Sequence, residues 1–385
     1  MAGLRIAVLS RYFVANGGGA ERYAIAVAEQ LAPHNEVHVF AQHIAHSFPG
    51  VTYHRLPLHI SRPRWVNQLL FAFQTWLATR TGFDIVHSHE NVWHGNVQAV
   101  HVLPAKHGLF SGRMGWALWI QRLRVATSPR LLTYLWLEHM RFAPRKRRRI
   151  VAASGALAAA MRQVYPGNES SIAVISPGVD MPVNEAVSQH DLRAEARRTL
   201  HLPQEGTCVL FIGNDFRKKG LAALIEALAQ LGDLKGGLYL AVAGNPAQRE
   251  SMHALALASG VADRVFFLGA LAQMNGAYRA ADCLVHPTLQ DSYAMVVLEA
   301  MAYGLPTIVS AAPYCGISDD LTDGVNTLLV ANPQDAGQIA THLRTVFTNA
   351  ALREQMISNG LAFAQRHTWQ VAGAAHARLF EEVLA

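Results

Sequence analysis

Cysteine and long apolar runs are both scarce in this sequence of 385 residues. The three cysteines, Cys208, Cys283 and Cys315, are scattered without metal-ligand spacing, which favours a reducing compartment over a disulfide framework. No run of about 18 apolar residues occurs, so we expect no membrane span. Because Arg5 interrupts the opening residues MAGLRIAVLS so early, we also expect no secretory signal. These absences predict a cytoplasmic protein.

Charged residues are few as well, at 16%, while hydrophobic residues make up 51%. This balance predicts large buried cores and argues against disorder. The length exceeds that of one ordinary domain, so we expect two. The formal net charge of +6 suits nucleic acid, an anionic membrane or phosphorylated ligands, and composition does not choose among them.

Short apolar runs alternate with longer helical patterns such as GAERYAIAVAEQLA and GLAALIEALAQLG. Several of these runs are apolar almost throughout, as in parallel strands covered on both faces. The runs that predict strands are LRIAVLS, NEVHVFA, FDIVHSH, RRIVAAS, TCVLFIG, LYLAVAG, RVFFLG, DCLVHP and PTIVS. The alternation predicts two doubly wound α/β domains that meet near ISPGVDMPVNEAVSQ, residues 175–189. Ligands bind beyond the carboxyl ends of such strands, so two facing domains would frame a central cleft.

A glycine turn follows the first strand in SRYFVANGGGAER. Gly17, Gly18 and Gly19 leave backbone amides unobstructed at the start of a helix, where an anion can bind. The spacing differs from the dinucleotide fingerprint G-x-G-x-x-G. A flexible turn without a ligand is the alternative.

A basic loop follows the strand TCVLFIG in FIGNDFRKKG. Arg217, Lys218 and Lys219 stand where a diphosphate would bind in such a sheet, and their charges would neutralise it. The alternative is a solvated surface loop, and the glycine at a helix start favours the functional interpretation.

Two acidic residues stand out in the apolar segment HPTLQDSYAMVVLEAMAYGLP. Asp291 follows a strand and Glu299 lies within a helix among apolar neighbours. The pair is compatible with acid–base catalysis, a metal site or a polyol ligand. It is also compatible with a capping residue and a satisfied buried acid. A ligand with hydroxyl donors would satisfy Glu299, for which we see no simple structural partner.

A histidine-rich region, HSHENVWHGNVQAVHVLPAKHG, follows the third predicted strand. His87 and His89 invite a metal interpretation, but neither a carboxylate cluster nor cysteine ligands support it. We therefore predict no metal site. His101 follows a short apolar strand, and both a structural role and a position facing the cleft remain open for it.

Tryptophan and arginine mix between residues 113 and 149. Trp116, Trp119 and Trp136 accompany several arginines and the run RKRRR, as in a helix that lies in a membrane interface. The alternative is a core-facing helix with a solvated arginine face. A nucleic-acid patch would look similar, but no nucleic-acid module accompanies it.

The motifs together resemble those of the retaining glycosyltransferases of family 4, over nearly the whole chain. The resemblance rests on GGGAER, on SPGVD, on the K-G of RKKG and above all on the two acids before AMAYGLP. Within that family, GNDFRKKG and HPTLQDSYAMVVLEA are most similar to the lipopolysaccharide core glucosyltransferase I group.

The resemblance implies a GT-B fold, with two Rossmann-like parallel-sheet domains facing a central cleft. Residues 1–180 would form the acceptor-side domain and residues 181–365 the nucleotide-sugar domain. The last helix, about residues 366–385, would pack back on the first domain.

The resemblance also implies roles for individual residues. Lys219, with Arg217 and Lys218, would bind the diphosphate, and Glu299 would bind the ribose. Asp291 would hold the donor sugar, with Ala294 and Met295 beside it. The Gly17–Gly19 turn would approach the phosphates, and His101 would lie near the reacting sugar. Lys219, Asp291 and His101 are thus the catalytic candidates.

Three positions depart from the family pattern. Asp291 replaces the usual glutamate, Ser292 and Ala294 replace glycines, and Asn214 replaces an arginine. These changes leave the identity of the donor sugar open.

The sequence therefore predicts a retaining, metal-independent transferase without a cofactor. It would move a hexose-like sugar from a nucleotide diphosphate-sugar to a glycolipid or lipopolysaccharide-core acceptor, at the inner face of the cytoplasmic membrane. The rivals are a GT-B nucleotide-sugar epimerase and a nonenzymatic basic module that binds nucleic acid or membrane. For the transferase we expect no nucleic-acid partner.

Overall fold

The computed structural model describes residues 3–15, 17–183, 188–232 and 237–385. The chain divides into two compact units, the first comprising Met1–Pro177 with Trp369–Ala385 and the second Gly178–Thr368. The units thus divide after residue 177, where the sequence led us to expect 180, and after residue 368, where we expected 365.

The first unit is built on a seven-stranded parallel sheet in the order β5-β3-β1-β6-β7-β8-β9, with β2 and β4 paired separately. Its strands are β1 (Arg5–Leu9), β2 (Tyr12–Val14), β3 (Glu36–Ala41), β4 (His43–Ala45), β5 (Val51–Arg55), β6 (Ile85–Ser88), β7 (Val97–Val100), β8 (Arg149–Ala152) and β9 (Ile172–Val174). Its helices are α1 (Gly19–Leu31), α2 (Arg64–Thr79), α3 (Ala105–Phe110), α4 (Gly115–Ala126), α5 (Pro129–Phe142), α6 (Gly155–Val164) and α14 (Trp369–Leu384).

The second unit is built on a six-stranded parallel sheet in the order β12-β11-β10-β13-β14-β15. Its strands are β10 (Thr207–Ile212), β11 (Leu238–Ala243), β12 (Val265–Gly269), β13 (Cys283–His286), β14 (Thr307–Ser310) and β15 (Leu328–Val330). Its helices are α7 (Gln189–Thr199), α8 (Leu221–Ala229), α9 (Arg249–Ala258), α10 (Asn275–Ala280), α11 (Met295–Ala302), α12 (Ala336–Thr348) and α13 (Ala350–Arg366).

The predicted fold class is confirmed, since each unit is a doubly wound α/β domain on a parallel sheet. The sequence pattern missed β2, β4, β5, β9 and β15. Of these, β2, β4, β9 and β15 have only three residues each, and β5 is a partly exposed edge strand. Such strands lack the continuous apolar run that marks a buried parallel strand.

In both sheets the strand order reverses next to the first strand of the unit. The reversal lies between β1 and β6 in the first unit and between β10 and β13 in the second. The loops that leave the two strands there diverge to opposite faces, which opens a crevice at the carboxyl edge. The candidate residues that follow β1, β6, β10 and β13 are placed at these two reversals.

The last helix, α14, packs against α1 in the first unit. The rings of Trp369 and His376 lie 5.8 and 5.7 Å from the ring of Tyr23, in edge contacts. A Cβ atom at Gly373 would stand 2.5 Å from the Cβ of Gln30, so glycine at this position lets the two helices approach closely.

The arginines of the Trp/Arg segment do not form one solvated face. Arg141 and Arg148 are 7% and 2% exposed, and Arg148 donates hydrogen bonds to four backbone carbonyls. The acceptors are the carbonyl oxygens of Trp93, Gly95, Met140 and Arg141. Conversely, Trp116 and Trp119 on α4 are 78% and 65% exposed. The alternative of a core-facing helix with a solvated arginine face is therefore wrong for α4.

We expect Arg148→Met to destabilise the first unit by about 3 kcal/mol, because it leaves buried carbonyl groups without a donor. All seven tryptophans lie in the first unit, so their fluorescence during urea denaturation follows this unit alone. Arg147→Met, at the exposed neighbouring position, is the matched control and should change the midpoint little. Equal midpoints for the two variants would contradict a structural role for Arg148.

Four histidines cluster beside Tyr23, of which His87 and His376 are fully buried and His89 and His101 are partly exposed. His89 Nδ1 lies 3.0 Å from His101 Nε2, and the rings of His87 and His376 are 5.2 Å apart. Burial, together with neighbouring positive charge, lowers the pKa of His101 to about 3, and burial lowers that of His376 to about 4. The pKa values of His87 and His89 lie well below the usual value for the same reason. All four rings are therefore neutral near pH 7.

The first unit should lose stability as the pH falls from about 6.5 towards 4, because the unfolded chain then binds protons that the folded histidines do not. The stabilisation is fully present above the unfolded pKa of about 6.5. Below it, the free energy of unfolding should fall by roughly 1 kcal/mol per pH unit for each histidine. Urea denaturation followed by tryptophan fluorescence at pH 7.5, 6.5 and 5.5 measures this change in the free energy of unfolding. His376→Leu should reduce this pH dependence, whereas His59→Leu, at an exposed position of the same unit, should not. A pH dependence unchanged by His376→Leu would contradict the assignment.

Candidate functional site

Two loops at the carboxyl edge of the second sheet pack directly on each other. One follows β10 and carries the basic residues, and the other follows β13 and leads to α11. The amide of Leu289 donates to the Lys218 carbonyl at 2.9 Å, which ties the loops together. This contact occurs at the reversal of strand order, where open α/β sheets bind ligands.

Gly220 makes this packing possible. It has a φ of +79°, and a Cβ atom there would stand 1.9 Å from the carbonyl oxygen of Pro287. Any other residue would push the two loops apart. The K-G pair of the motif therefore has a physical reason, because the glycine lets the preceding Lys219 reach the neighbouring loop.

Lys219 and Asp291 form an ion pair across the two loops. The Lys219 ammonium contacts Asp291 Oδ2, and His286 Nε2 lies 3.1 Å from the same oxygen. Burial by itself would raise the pKa of Asp291, but the His286 hydrogen bond and the Lys219 charge outweigh it. The pKa of Asp291 is held well below its usual value, so this carboxylate stays ionised.

The backbone around Asp291 is fixed on both sides. Its Oδ1 accepts from the amides of Tyr293 and Ala294 at 3.3 and 3.0 Å, and its own amide donates to the Tyr314 carbonyl at 2.8 Å. Ala294 has a φ of +72°, a left-handed conformation that costs a non-glycine residue about 1 kcal/mol. The alanine thus keeps the backbone turn for which the family commonly uses glycine.

Glu299 is buried in α11 at 6% exposure, as the sequence predicts. It has a structural partner that sequence reasoning missed, because the Tyr278 hydroxyl on α10 donates to Glu299 Oε2. The Tyr278 ring stacks on Tyr303, with centroids 5.2 Å apart. The statement that Glu299 has no simple structural partner was therefore wrong, and the contact agrees with the alternative of a satisfied buried acid.

Arg217 and Lys218 differ from Lys219 in their surroundings. Both are exposed, and their backbone amides donate to Gln248 and Asp215 at 3.0 and 3.1 Å. The loop is thereby held by hydrogen bonds of its backbone, while the side chains of Arg217 and Lys218 are exposed to solvent.

The glycine turn of the first unit lies at the start of α1, which begins at Gly19 with Gly18 before it. A Cβ on Gly17 would stand 2.7 Å from the Cβ of Glu21, so the turn packs against this acidic residue. Asn16 lies outside the described residues. The sequence analysis, which predicted that an anion binds at this turn, did not consider the acidic Glu21 beside it.

His101 directly follows β7 and stacks on His89, with centroids 5.2 Å apart and planes within 3°. Its edge contact with Tyr23 has a centroid distance of 4.8 Å. With a pKa near 3, His101 is a neutral hydrogen-bonding group near pH 7.

The structure thus brings Lys219, Asp291, Met295 and Glu299 to one edge of the second sheet. Within the described ranges, no group of three or more His, Cys, Asp or Glu side chains is arranged to hold a metal ion. Sequence reasoning missed two residues that contact these side chains, His286 and Tyr278. His286 could have been found as the last residue of β13, but Tyr278 gave no local signal.

The chain matches two families of known proteins. Residues 17–182 match Glycosyltransferase Family 4, and residues 193–363 match Glycosyl transferases group 1. A D-inositol 3-phosphate glycosyltransferase of Streptomyces bingchenggensis is 29% identical over 328 residues. That alignment covers 77% of this chain and 70% of the relative.

Solved structures agree on the fold. WaaG, a glycosyltransferase involved in lipopolysaccharide biosynthesis, superposes with a TM-score of 0.80 at 22% identity, covering 97% of this chain and 99% of its own. Anabaena HepE, in complex with UDP and glucose, superposes with a TM-score of 0.75 at 18% identity, covering 98% and 99%. The chain is therefore a glycosyltransferase of GT-B type, with a Glycosyltransferase Family 4 domain followed by a Glycosyl transferases group 1 domain.

Proposed function

We propose that this glycosyltransferase moves a hexose-like sugar, with retention of configuration, from a nucleotide diphosphate-sugar to a glycolipid or lipopolysaccharide-core acceptor. The observation that carries the proposal is the Lys219–Asp291 ion pair at the strand reversal of the second sheet. A cation and an ionised carboxylate side by side suit a ligand that has both phosphates and sugar hydroxyls.

Lys219 would bind the diphosphate and stabilise the negative charge that develops on it as the glycosidic bond breaks. The positive charges of the exposed Arg217 and Lys218 would also stabilise the negative charge of the diphosphate. Asp291 would accept hydrogen bonds from the sugar hydroxyls, since its low pKa keeps it an acceptor. His286 fixes the orientation of that carboxylate through its bond to Oδ2.

Glu299 would accept the ribose hydroxyls. The Tyr278 hydroxyl holds one of its oxygens, which fixes the carboxylate before a ligand arrives and lowers the cost of ordering it. The roles of the Gly17–Gly19 turn and of His101 stay predictions from the family resemblance.

The relatives support two acceptor classes. WaaG is involved in lipopolysaccharide biosynthesis, whereas several relatives are D-inositol 3-phosphate glycosyltransferases. HepE in complex with UDP and glucose supports a uridine donor of a hexose. We place the glycolipid first because of the exposed Trp/Arg face described below, and an inositol phosphate second.

We expect Lys219→Met to lower kcat/KM at least about 100-fold, since it removes a cation from the developing charge. Glu299→Gln should raise the KM for the donor roughly tenfold with a smaller change in kcat, because a charged hydrogen-bond acceptor is lost. Lys146→Met and Glu354→Gln alter exposed positions outside the proposed site and serve as controls. The assay measures nucleoside diphosphate released from a panel of nucleotide-sugars.

The same assay with EDTA examines the metal-independent mechanism, in which the basic loop takes the place of a divalent ion. Activity should persist with EDTA, and strict metal dependence would count against Lys219 as the diphosphate partner. Donor conversion without any acceptor would favour the epimerase instead. If Lys219→Met and Glu299→Gln both match their controls, the proposed site is wrong.

We also propose that α4 and α5 contact an anionic membrane. Trp116, Trp119, Ile120 and Leu123 are 78%, 65%, 49% and 51% exposed and recur at the spacing of one helix face. Trp136 and exposed arginines at 113, 122, 124 and 130 accompany them. This Trp/Arg face combines apolar anchors with positive charge, as interfacial helices do. In the described ranges no helix is long and apolar enough to cross a bilayer.

Wild-type protein should co-float with vesicles containing phosphatidylglycerol and much less with pure phosphatidylcholine, because the arginines need anionic headgroups. The double change Trp116→Ser and Trp119→Ser should reduce flotation at least fivefold, since both anchors are removed. Trp76→Ser on α2 is the matched control. Equal flotation by the double variant and the control would rule out this face as the membrane contact.

A further inference from the structure

The second unit contains a basic pocket at the edge of its sheet opposite the donor residues. The cavity encloses about 680 Å³ and lies at the amino ends of the strands, where Thr207 opens β10, Leu238 opens β11 and Pro306 precedes β14. Because β10 has six residues, the two edges are roughly 20 Å apart. Lys219 and Asp291, which follow the carboxyl ends of β10 and β13, therefore lie at the opposite edge from the pocket. Glu299 lies between the two edges on α11, the helix that ends before the pocket residue Gly304.

Three arginines from three helices line the basic pocket: Arg193 on α7, Arg344 on α12 and Arg353 on α13. Arg353 is fixed by a hydrogen bond from Nη1 to the Val346 carbonyl at 3.2 Å. Arginines from separate elements that line one pocket suit a phosphate, which offers several oxygens to more than one donor.

The acidic residue of the lining does not cancel this charge. Asp282 binds Arg193 at 3.0 Å and Arg197 at 2.7 Å, and its Oδ2 also accepts from the Cys208 amide at 2.8 Å. Its carboxylate is thus engaged by two arginines. Among the described residues that line the pocket, three arginines accompany this one carboxylate.

Apolar side chains also line the pocket, namely those of Leu238, Leu305, Pro306, Phe347 and Ile357. An inorganic anion would leave the apolar part of the pocket exposed to water, whereas a ligand with an apolar or aromatic group would bury it. The volume lies within the usual range of about 300–1,000 Å³ for small-molecule sites.

We propose that the basic pocket binds a phosphorylated small molecule with an aromatic body, of about the size of a nucleoside monophosphate. The arginines bind the phosphate of this molecule, and the apolar side chains of the pocket pack against its aromatic part. This site is independent of the donor site and of the transfer reaction.

Calorimetry on the Lys219→Met chain, in which the donor site is weakened, tests the proposal. The probes are adenosine and uridine 5′-monophosphate, glucose 1-phosphate and inorganic phosphate. We expect one site per chain, with at least one nucleotide bound ten times more tightly than the other two probes. Equal affinity for all probes, or no nucleotide binding, would overturn the proposal.

Arg344→Gln combined with Arg353→Gln, in the same background, should weaken nucleotide binding at least tenfold. Thr348→Glu is a second variant that keeps both arginines and adds negative charge to the pocket lining, so it covers the case in which the double variant fails to fold. Undiminished binding by folded Thr348→Glu, or by the double variant, would place the nucleotide elsewhere. Sugar transfer is not part of this readout, so a failure of the proposed function would leave the result unchanged.

Discussion

The donor edge of the second unit depends on one close backbone contact, in which the Pro287 carbonyl occupies the space that a side chain at Gly220 would need. This contact seats the basic loop on the loop that follows β13. As a result Lys219 reaches Asp291, although the two residues are separated by 72 positions in the chain. The left-handed backbone at Gly220 also starts α8 directly after the lysine. The absence of a Cβ atom at Gly220 therefore determines the positions of the Lys219 ammonium, of the basic loop and of the start of α8.

Each of the two acids is held by a partner of a different kind. Asp291 is ionised and bound by a lysine and a histidine, whereas the Glu299 carboxylate is oriented by the Tyr278 hydroxyl inside an apolar helix environment. Lys219 beside Asp291 is a cation that phosphate oxygens can also contact, whereas the Tyr278 hydroxyl binds one oxygen of Glu299. The pair is thus suited to two different parts of one ligand, in agreement with the proposed binding of sugar and ribose.

The first unit has arginines both in its interior and on its surface. Arg148 is buried and holds four carbonyl groups, while nearby arginines are exposed beside tryptophans on α4. Its buried histidines are neutral, and His376 joins α14 to α1 through Tyr23 and to β6 through His87. The unit therefore combines hydrogen-bonded polar groups in its interior with exposed apolar side chains on α4. The exposed side chains are the ones that the proposed membrane contact would use.

The sequence by itself determined the two doubly wound parallel sheets, because apolar runs and helical periodicity are local and repeat along the chain. It also determined that Lys219, Asp291 and Glu299 are site candidates, because each follows a strand end or interrupts an apolar pattern. Only the tertiary structure decided the partners of these residues. Tyr278 lies 21 positions from Glu299 on another helix, and neither residue type nor spacing predicts that contact. The same holds for the burial of Arg148 within a basic run, since burial depends on the carbonyl groups that the fold brings around it.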